Sequence, residues 1–358
     1  MQRHMIIESV SITDFRVLAE LSLKPAPGLN LIWGDNGAGK TSILEALYLA
    51  ARGRSFRHRE AGPFIRTGSN QARVVVKTVD EHGRGHVLGI ERSAREQTVR
   101  LDGATLQRRS EQVRALPLQI LTPNSHALIE GPPELRRRYL DLGLFHVEHN
   151  YHRCFSDYQR ALRQRNAALR TQPRTAKTWD HTLATLAIQL HKFRHDYINR
   201  LAVAAGDALV RISPGIQVAL THRPGWDPEN DLASQLADRF VMDCRQGFTG
   251  IGPHRADIQI RAEQADAAKR LSRGQQKMVV TALLLGQVVV QKAMAATTPV
   301  LLLDDLPAEL DRAHRERVTA ELQTLEAQAF ITSVDPDSLP VGMDAGVFHV
   351  EHGGKLGS

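Results

Sequence analysis

The sequence predicts an α/β fold: a parallel sheet, an antiparallel β meander beside it, and an inserted, mainly helical lobe. Three observations carry this. Gly34-Asp35-Asn36-Gly37-Ala38-Gly39-Lys40-Thr41 sits between a strand-like run, Leu29-Asn30-Leu31-Ile32-Trp33, and a helix-like run from Ser42 with Ile43, Leu47 and Ala50 on one face. Val300-Leu301-Leu302-Leu303 is a continuous apolar run, as in a parallel strand buried on both faces. Between these, the stretch from Glu134 to Leu201 takes on helical periodicity.

In chain order, residues 5–12 read as a strand and Leu21-Ser22-Leu23 begins another before Pro25 and Pro27. After the glycine-rich loop come short β-rich runs at 73–79, 86–90 and 98–101, separated by polar turns; these predict the meander. Leu118-Gln119-Ile120-Leu121 is one more strand. A helix starts behind Pro132-Pro133. Phe155, Tyr158, Leu162 and Leu169 form one helical seam, and Leu183, Leu186, Leu190, Phe193, Tyr197 and Leu201 another. With the turn at 171–175 they predict an antiparallel helical hairpin. Residues 216–220 suggest a strand, 231–240 a helix, 257–261 a strand and 271–290 a helix with Ser272 near its start. Strands at 330–333 and 347–350 follow. The expected division is therefore 1–125 with 245–358 as one domain and 126–244 as the inserted lobe.

Composition narrows the class. At 42% hydrophobic and 24% charged residues, the 358-residue chain is globular. Met278 to Val290 is interrupted by Thr281, Gly286 and Gln287 and reads as a buried helix rather than a membrane span. Cys154 and Cys244 alone cannot build a disulfide framework or a cysteine-rich zinc site, and a reducing, cytoplasmic setting fits. The net charge of +7 suits a polyanionic partner. Residues 134–200 hold 13 Lys/Arg and 6 Asp/Glu, so 13 − 6 = +7 and the remainder is formally neutral.

The loop at 34–41 fits G-x-x-x-x-G-K-[ST] at every fixed position. Its glycines let backbone N–H groups turn inward around a phosphate chain, at the positive end of the following helix. Lys40 would reach the β- and γ-phosphates and the Thr41 hydroxyl would bind Mg²⁺. Carboxylates at the end of a buried strand need a cation or partner. Asp304 is assigned to Mg²⁺, and Asp305 to the attacking water. Leu271-Ser272-Arg273-Gly274-Gln275 would alone be a helix cap. With the other two motifs it resembles the signature of ABC-type ATPases, commonly L-S-G-G-Q, and Glu309-Leu310-Asp311 resembles their D-loop. The first domain then becomes an ABC-type ATPase head.

The resemblance narrows to the RecF family of bacterial recombination and gap-repair ATPases, relatives of SMC proteins without the long arms. It rests on Phe15-Arg16, Gly53-Arg54-Ser55-Phe56-Arg57, the run from Gly131 to Asp141, Gln164-Arg165-Asn166, Gly252-Pro253-His254-Arg255, Ser272-Arg273-Gly274-Gln275-Gln276-Lys277 and the run from Leu302 to Asp311. The resemblance implies nucleotide contacts by Arg16, Ser272, Gly274, Gln275 and Asp311. It implies an ATP-bound homodimer with the signature acting in trans, DNA bound near single-strand/duplex junctions, and work with RecO and RecR to load RecA. The alternatives are a transporter ATPase subunit and a nuclease-associated ABC machine.

Three departures from the broader ABC pattern stand out. The acidic strand ends Asp-Asp rather than Asp-Glu, which suggests slow hydrolysis. Thr332-Ser333 stands where a switch histidine is common, and Gln119 is the nearest Q-loop candidate. Arg136, Arg137, Arg138, Arg153, Arg160, Arg163, Arg165 and Arg170 are read either as a solvated face or as DNA contacts, with Arg54, Arg57 and Arg59 as rivals. The repeated His-Val-Glu-His stretches at 146–149 and 349–352 lack metal-ligand spacing.

Overall fold

The computed structural model describes residues 5–57, 64–80, 82–340, 342, 344–353 and 355–356. The chain divides into two compact units, one of 1–125, 208–214 and 291–358, the other of 126–207 and 215–290.

The first unit holds two six-stranded sheets. Strands β4 (Gln71–Val79), β5 (Gly85–Ser93) and β6 (Gln97–Leu101) form the expected antiparallel meander, which β1 (Ile6–Phe15), β2 (Leu18–Leu23) and β7 (Ala104–Thr105) extend into one sheet in the order β2-β1-β4-β5-β6-β7. Their alternating pattern puts Val10, Ile12, Val74, Val76, Leu88 and Ile90 on one buried face. Against it lie Ile43, Leu44, Leu47 and Ala50 of α1 (Lys40–Arg52). The second sheet runs β15-β14-β3-β13-β12-β8. Its strands are β3 (Leu29–Trp33), β8 (Leu118–Leu121), β12 (Val300–Leu303), β13 (Ala329–Ser333), β14 (Gly346–Glu351) and β15 (Lys355–Leu356). All pairings are parallel except β14–β15. Helices α2 (Arg109–Ala115) and α12 (Arg312–Thr324) complete the unit. β12 and β13 are buried along their whole length, which is why both read as unbroken apolar or small-residue runs.

The second unit is mainly helical. It holds α3 (Ala127–Glu130), α4 (Pro133–Val147), α5 (His149–Thr171), α6 (Pro173–Ala176), α8 (Leu232–Asp238), α9 (Phe240–Gln246) and α10 (Ala267–Arg270), with most of α7 (Asp180–Ile212) and α11 (Arg273–Ala295). A small antiparallel sheet, β9 (Val218–Arg223), β10 (Asp257–Ala262) and β11 (Ala265–Asp266), joins them. Helices α5 and α7 run antiparallel. Arg165 meets Asp180 beside the turn, whereas Cys154, earlier on α5, meets Leu186 and Gln189 further along α7. The helix expected over 231–240 is two helices, parted at Arg239.

The boundary expected at 245 does not coincide with this division, because β10 and most of α11 belong to the helical unit. Side chains explain why. The Tyr139 hydroxyl donates to the Leu283 carbonyl at 2.6 Å, and Gln287 Nε2 donates to the Tyr139 carbonyl at 3.1 Å. A Cβ on Gly286 would lie 2.6 Å from the Ala205 nitrogen, so α11 and α7 touch backbone to backbone there. Helix α11 is long and apolar enough to cross a membrane, but Val279, Ala282, Leu283, Leu285 and Val288 are buried in protein.

Candidate functional site

β3 delivers the chain to the glycine-rich loop. Gly34 has φ 148°, and a Cβ there would sit 2.2 Å from the Val350 carbonyl oxygen on neighbouring β14. No other residue fits. Gly37 and Gly39 have φ 83° and 118°, so the loop turns through conformations that side chains resist. α1 then begins at Lys40, leaving its first N–H groups without partners inside the helix. The Lys40 ammonium is nearly enclosed and donates to the carbonyls of Gly34 (2.7 Å) and Asp35 (2.9 Å). Burial lowers its pKa, opposed by the charges of Asp305, Asp304 and Asp35.

The acidic end of β12 meets this loop from 263 residues away in sequence. Thr41 Oγ1 donates to Asp304 Oδ1 at 2.9 Å, and Thr332 Oγ1 donates to the same oxygen at 2.9 Å. The Asp305 N–H donates back to Thr332 Oγ1 at 2.8 Å, with Asp305 in the left-handed region at φ 55°. A non-glycine residue held there is strained backbone of the kind that gathers at functional sites. Burial raises the Asp305 carboxyl pKa, and the charge of Asp304 raises it further. These groups line a cavity of about 380 Å³ with Gly37, Gly39, Arg57 and Pro123. Gln119 is instead buried within β8, so the weak Q-loop candidate is not at the cavity.

Comparison with known proteins now decides the family. The family model described as RecF/RecN/SMC N terminal domain matches residues 6–354. A DNA replication and repair protein RecF from Pseudomonas aeruginosa (strain LESB58) is 38% identical over 357 residues, covering 98% of this chain and 97% of that one. The chain belongs to the RecF family. Its relatives there are DNA replication and repair proteins, as the sequence resemblance implied. Its fold matches a structure of the recombination mediator protein RecF-ATP in the RecFOR pathway, with TM-score 0.88, 24% identity, and 100% and 98% of the two chains covered. An Smc head bound to the C-winged helix domain of ScpA matches at TM-score 0.63 and 16% identity, over 98% and 96%. The ABC-type head with a helical insertion is thus the architecture of this RecF-family chain.

One residue of this RecF-family site escaped the sequence reading. Glu45 on α1 is fully buried and accepts from Arg16 Nε (3.0 Å) and Nη2 (2.7 Å), and from the Ser55 hydroxyl. Arg57 Nη1 stands 4.0 Å from it. Arg16, expected to contact nucleotide, is therefore bound to Glu45, while Arg57 reaches the cavity. A lone carboxylate among Ile43, Leu44, Ala46 and Leu47 was the available signal, since a buried charge needs a partner. Arg59 lies outside the described residues.

The signature residues belong to the helical unit. Ser272 Oγ accepts from the Gln275 N–H at 3.3 Å, and Gln275 Oε1 accepts from the Ser272 N–H at 2.9 Å, a capping box for α11. A Cβ on Gly274 would meet nothing within 4 Å. Asp311, in the other unit, caps α12 by accepting from the His314 N–H at 2.9 Å and pairing with its Nδ1 at 2.7 Å.

The arginines offered as DNA contacts need correction. Arg165 is not on the surface: its side chain is 0% exposed and paired with Asp180 (2.7 Å) and Asp243 (2.8 Å). Arg136 is clamped bidentately on Asp257 and also donates to the Gly131 carbonyl. Arg137 donates to the Ala256 carbonyl at 2.7 Å. Arg138 is exposed and paired with Glu134, and Arg163 is exposed. Helical spacing cannot separate these cases, because the carboxylates that engage Arg165 and Arg136 lie 15 to 121 residues away.

Proposed function

We propose that this RecF-family chain binds ATP with Mg²⁺ at the cavity around Lys40 and acts as a slow ATPase switch on DNA. The observation that carries the reading is the meeting of Thr41 with Asp304 at the mouth of the glycine-rich loop. The donor set fits the cation. A threonine hydroxyl and carboxylates are hard oxygen donors, and Mg²⁺ keeps waters and phosphate oxygens rather than an all-protein cage. The loop fits a polyphosphate, since Gly37 and Gly39 turn it at positive φ along the cavity and the N–H groups at the start of α1 have no helix partners.

In this reading Lys40 exchanges its two carbonyl contacts for β- and γ-phosphate oxygens, and the loop N–H groups bind the rest of the chain. Thr41 and Asp304 hold Mg²⁺, which when bound neutralises charge on the transferring phosphoryl group. Asp305 orients the attacking water from the same end of β12. Thr332, bonded to both aspartates, fixes their geometry in place of a histidine. Aspartate is one methylene shorter than glutamate, which favours slow turnover. Ser272, Gly274, Gln275 and Asp311 complete the site of a second copy, so that ATP favours a closed dimer. The family and the fold shared with a recombination mediator support DNA near single-strand/duplex junctions as the ligand. They likewise support RecR and RecO as partners in RecA loading, in the cytoplasm.

The test is nucleotide binding and turnover. Lys40→Met should abolish ATP-dependent dimerisation in sedimentation. Asp305→Asn should bind ATP and hydrolyse it ~10²–10³-fold more slowly, the scale of one transition-state contact. Unchanged turnover in Asp305→Asn removes it from the catalytic role. Ser272→Arg should bind ATP and stay monomeric; full dimerisation of that variant would sink the trans arrangement.

A further inference from the structure

Helix α5 carries five arginines and a single acid, Asp157. The structure sorts the arginines into two kinds. Arg165 faces inward with Tyr151, Cys154, Tyr158, Ala161, Leu162 and Leu169. Arg153, Arg160, Arg163 and Arg170 are exposed. At 3.6 residues per turn these four fall within an arc of roughly 100°, opposite the buried face. The first and last lie 17 residues apart, about 25 Å along the axis at 1.5 Å per residue. No carboxylate lies within the arc; Asp157 stands at its edge, 3.7 Å from Arg160. The residues between the arginines in the arc are Ser156 and Ala167, both uncharged. Among the described residues Arg153 and Arg163 have no ion-pair partner, and Arg170 has only a long bond to the Gly247 carbonyl at 3.4 Å.

A solvated helix face normally mixes signs, which stabilises the helix through i,i+4 pairs. This face does the reverse and accepts repulsion between its own side chains. We propose that the Arg153–Arg160–Arg163–Arg170 stripe is a binding surface for the sugar–phosphate backbone of duplex DNA. The inference rests on the reading of the chain as a DNA-binding protein and says where that binding occurs. Phosphates on one strand of a duplex advance about 3.4 Å along the axis, so a 25 Å stripe runs beside roughly seven of them. Guanidinium groups suit phosphate by presenting paired N–H donors. The stripe carries no tyrosine, tryptophan or phenylalanine for stacking, so it holds the backbone and reads no sequence. It replaces the triad at 136–138, whose first two members are already engaged with Asp257 and the Ala256 carbonyl.

The experiment measures salt dependence. The full chain, with ATP and Mg²⁺, is titrated against two fluorescent 30-base-pair duplexes of unrelated sequence at several salt concentrations. Each phosphate contact contributes about −0.9 to the slope of log K against log[salt]. The quadruple Arg153→Gln, Arg160→Gln, Arg163→Gln, Arg170→Gln variant should lose about 3.6 units of slope, equally on both duplexes. The matching four-lysine variant should keep the slope to within about one unit. Arg138→Gln should leave it unchanged. If the glutamine variant does not fold, Arg163→Gln alone should lose about 0.9. A wild-type slope in the glutamine variant overturns the surface, whether or not its affinity is lower, and leaves DNA binding itself standing. Absence of duplex binding by the wild-type chain overturns both.

Discussion

Two charged clusters in this molecule look alike in sequence and differ in one physical respect. Around Lys40, Asp304 and Asp305 the charges face a cavity, and donor and acceptor capacity remains for something small and anionic. Around Arg165 the charges face one another. Its guanidinium donates to Asp180, Asp243 and Thr249, and Asp243 is as fully buried as the arginine. Arg194 repeats the closed arrangement with Asp141, Tyr151 and the Pro253 carbonyl. The open cluster has a site's chemistry; the closed ones hold helices to loops. Motif and charge alone do not distinguish them. Access to solvent does.

The contrast can be broken most forcefully at Arg165. Arg165→Met leaves two buried carboxylates unpaired, and breaking such a cluster costs about 3–5 kcal/mol. The urea midpoint should fall accordingly, while ATP affinity of the folded protein stays near wild type. Weak ATP binding with unaltered stability would reverse the roles of the two clusters.

A smaller effect should follow pH. His254 Nε2 lies 2.8 Å from the Thr249 carbonyl, which can only accept, so Nε2 carries the proton and Nδ1 accepts from the Tyr158 hydroxyl at 2.7 Å. Burial pushes this imidazole down to about 4. The unfolded chain binds the proton near pH 6.5, earlier than the fold does. The stability the neutral ring contributes is therefore complete above that pH and is lost as pH falls towards 4, by at most about 1.4 kcal/mol per pH unit. Urea titrations at pH 7 and pH 5 should show the loss, and His254→Gln should reduce it. Asp305 has the opposite sign for an acid: its raised pKa means that its charge opposes folding at neutral pH.

The smallest effect belongs to Ser272, whose contacts are local. Ser272→Ala removes the α11 cap and should cost about 1 kcal/mol of stability. A much larger loss would place Ser272 with the closed clusters.

Much of this was legible because some chemistry depends on short spacing. The loop at 34–41, the buried run ending in Asp304 and the meander all follow from neighbours in sequence. The hairpin seams also held, with Leu183, Leu190, Tyr197 and Leu201 buried. What stayed hidden depends on distant partners. Arg136 meets Asp257 across 121 residues and Arg165 meets Asp243 across 78, so neither burial could be read from α4 or α5 alone. Glu45 was concealed in the same way by Arg16. The two His-Val-Glu-His stretches part company. His149 opens α5, whereas His349 stacks on Trp33 in β14 with ring centroids 4.0 Å apart.

The placing of β3 has a consequence for biosynthesis. Residues 29–33 leave the ribosome early, yet their ladder partners on both sides are 329–333 and 346–349. The glycine-rich loop hangs from this strand, with Gly34 against Val350. A nascent chain some 300 residues long thus carries its glycine-rich loop on a strand with neither neighbour yet made. Pairings this remote in sequence form slowly and expose apolar edge meanwhile. The meander, whose partners are close in sequence, can assemble first and hold α1 ready. Competence for nucleotide therefore arrives late and all at once, when the last strands close on β3.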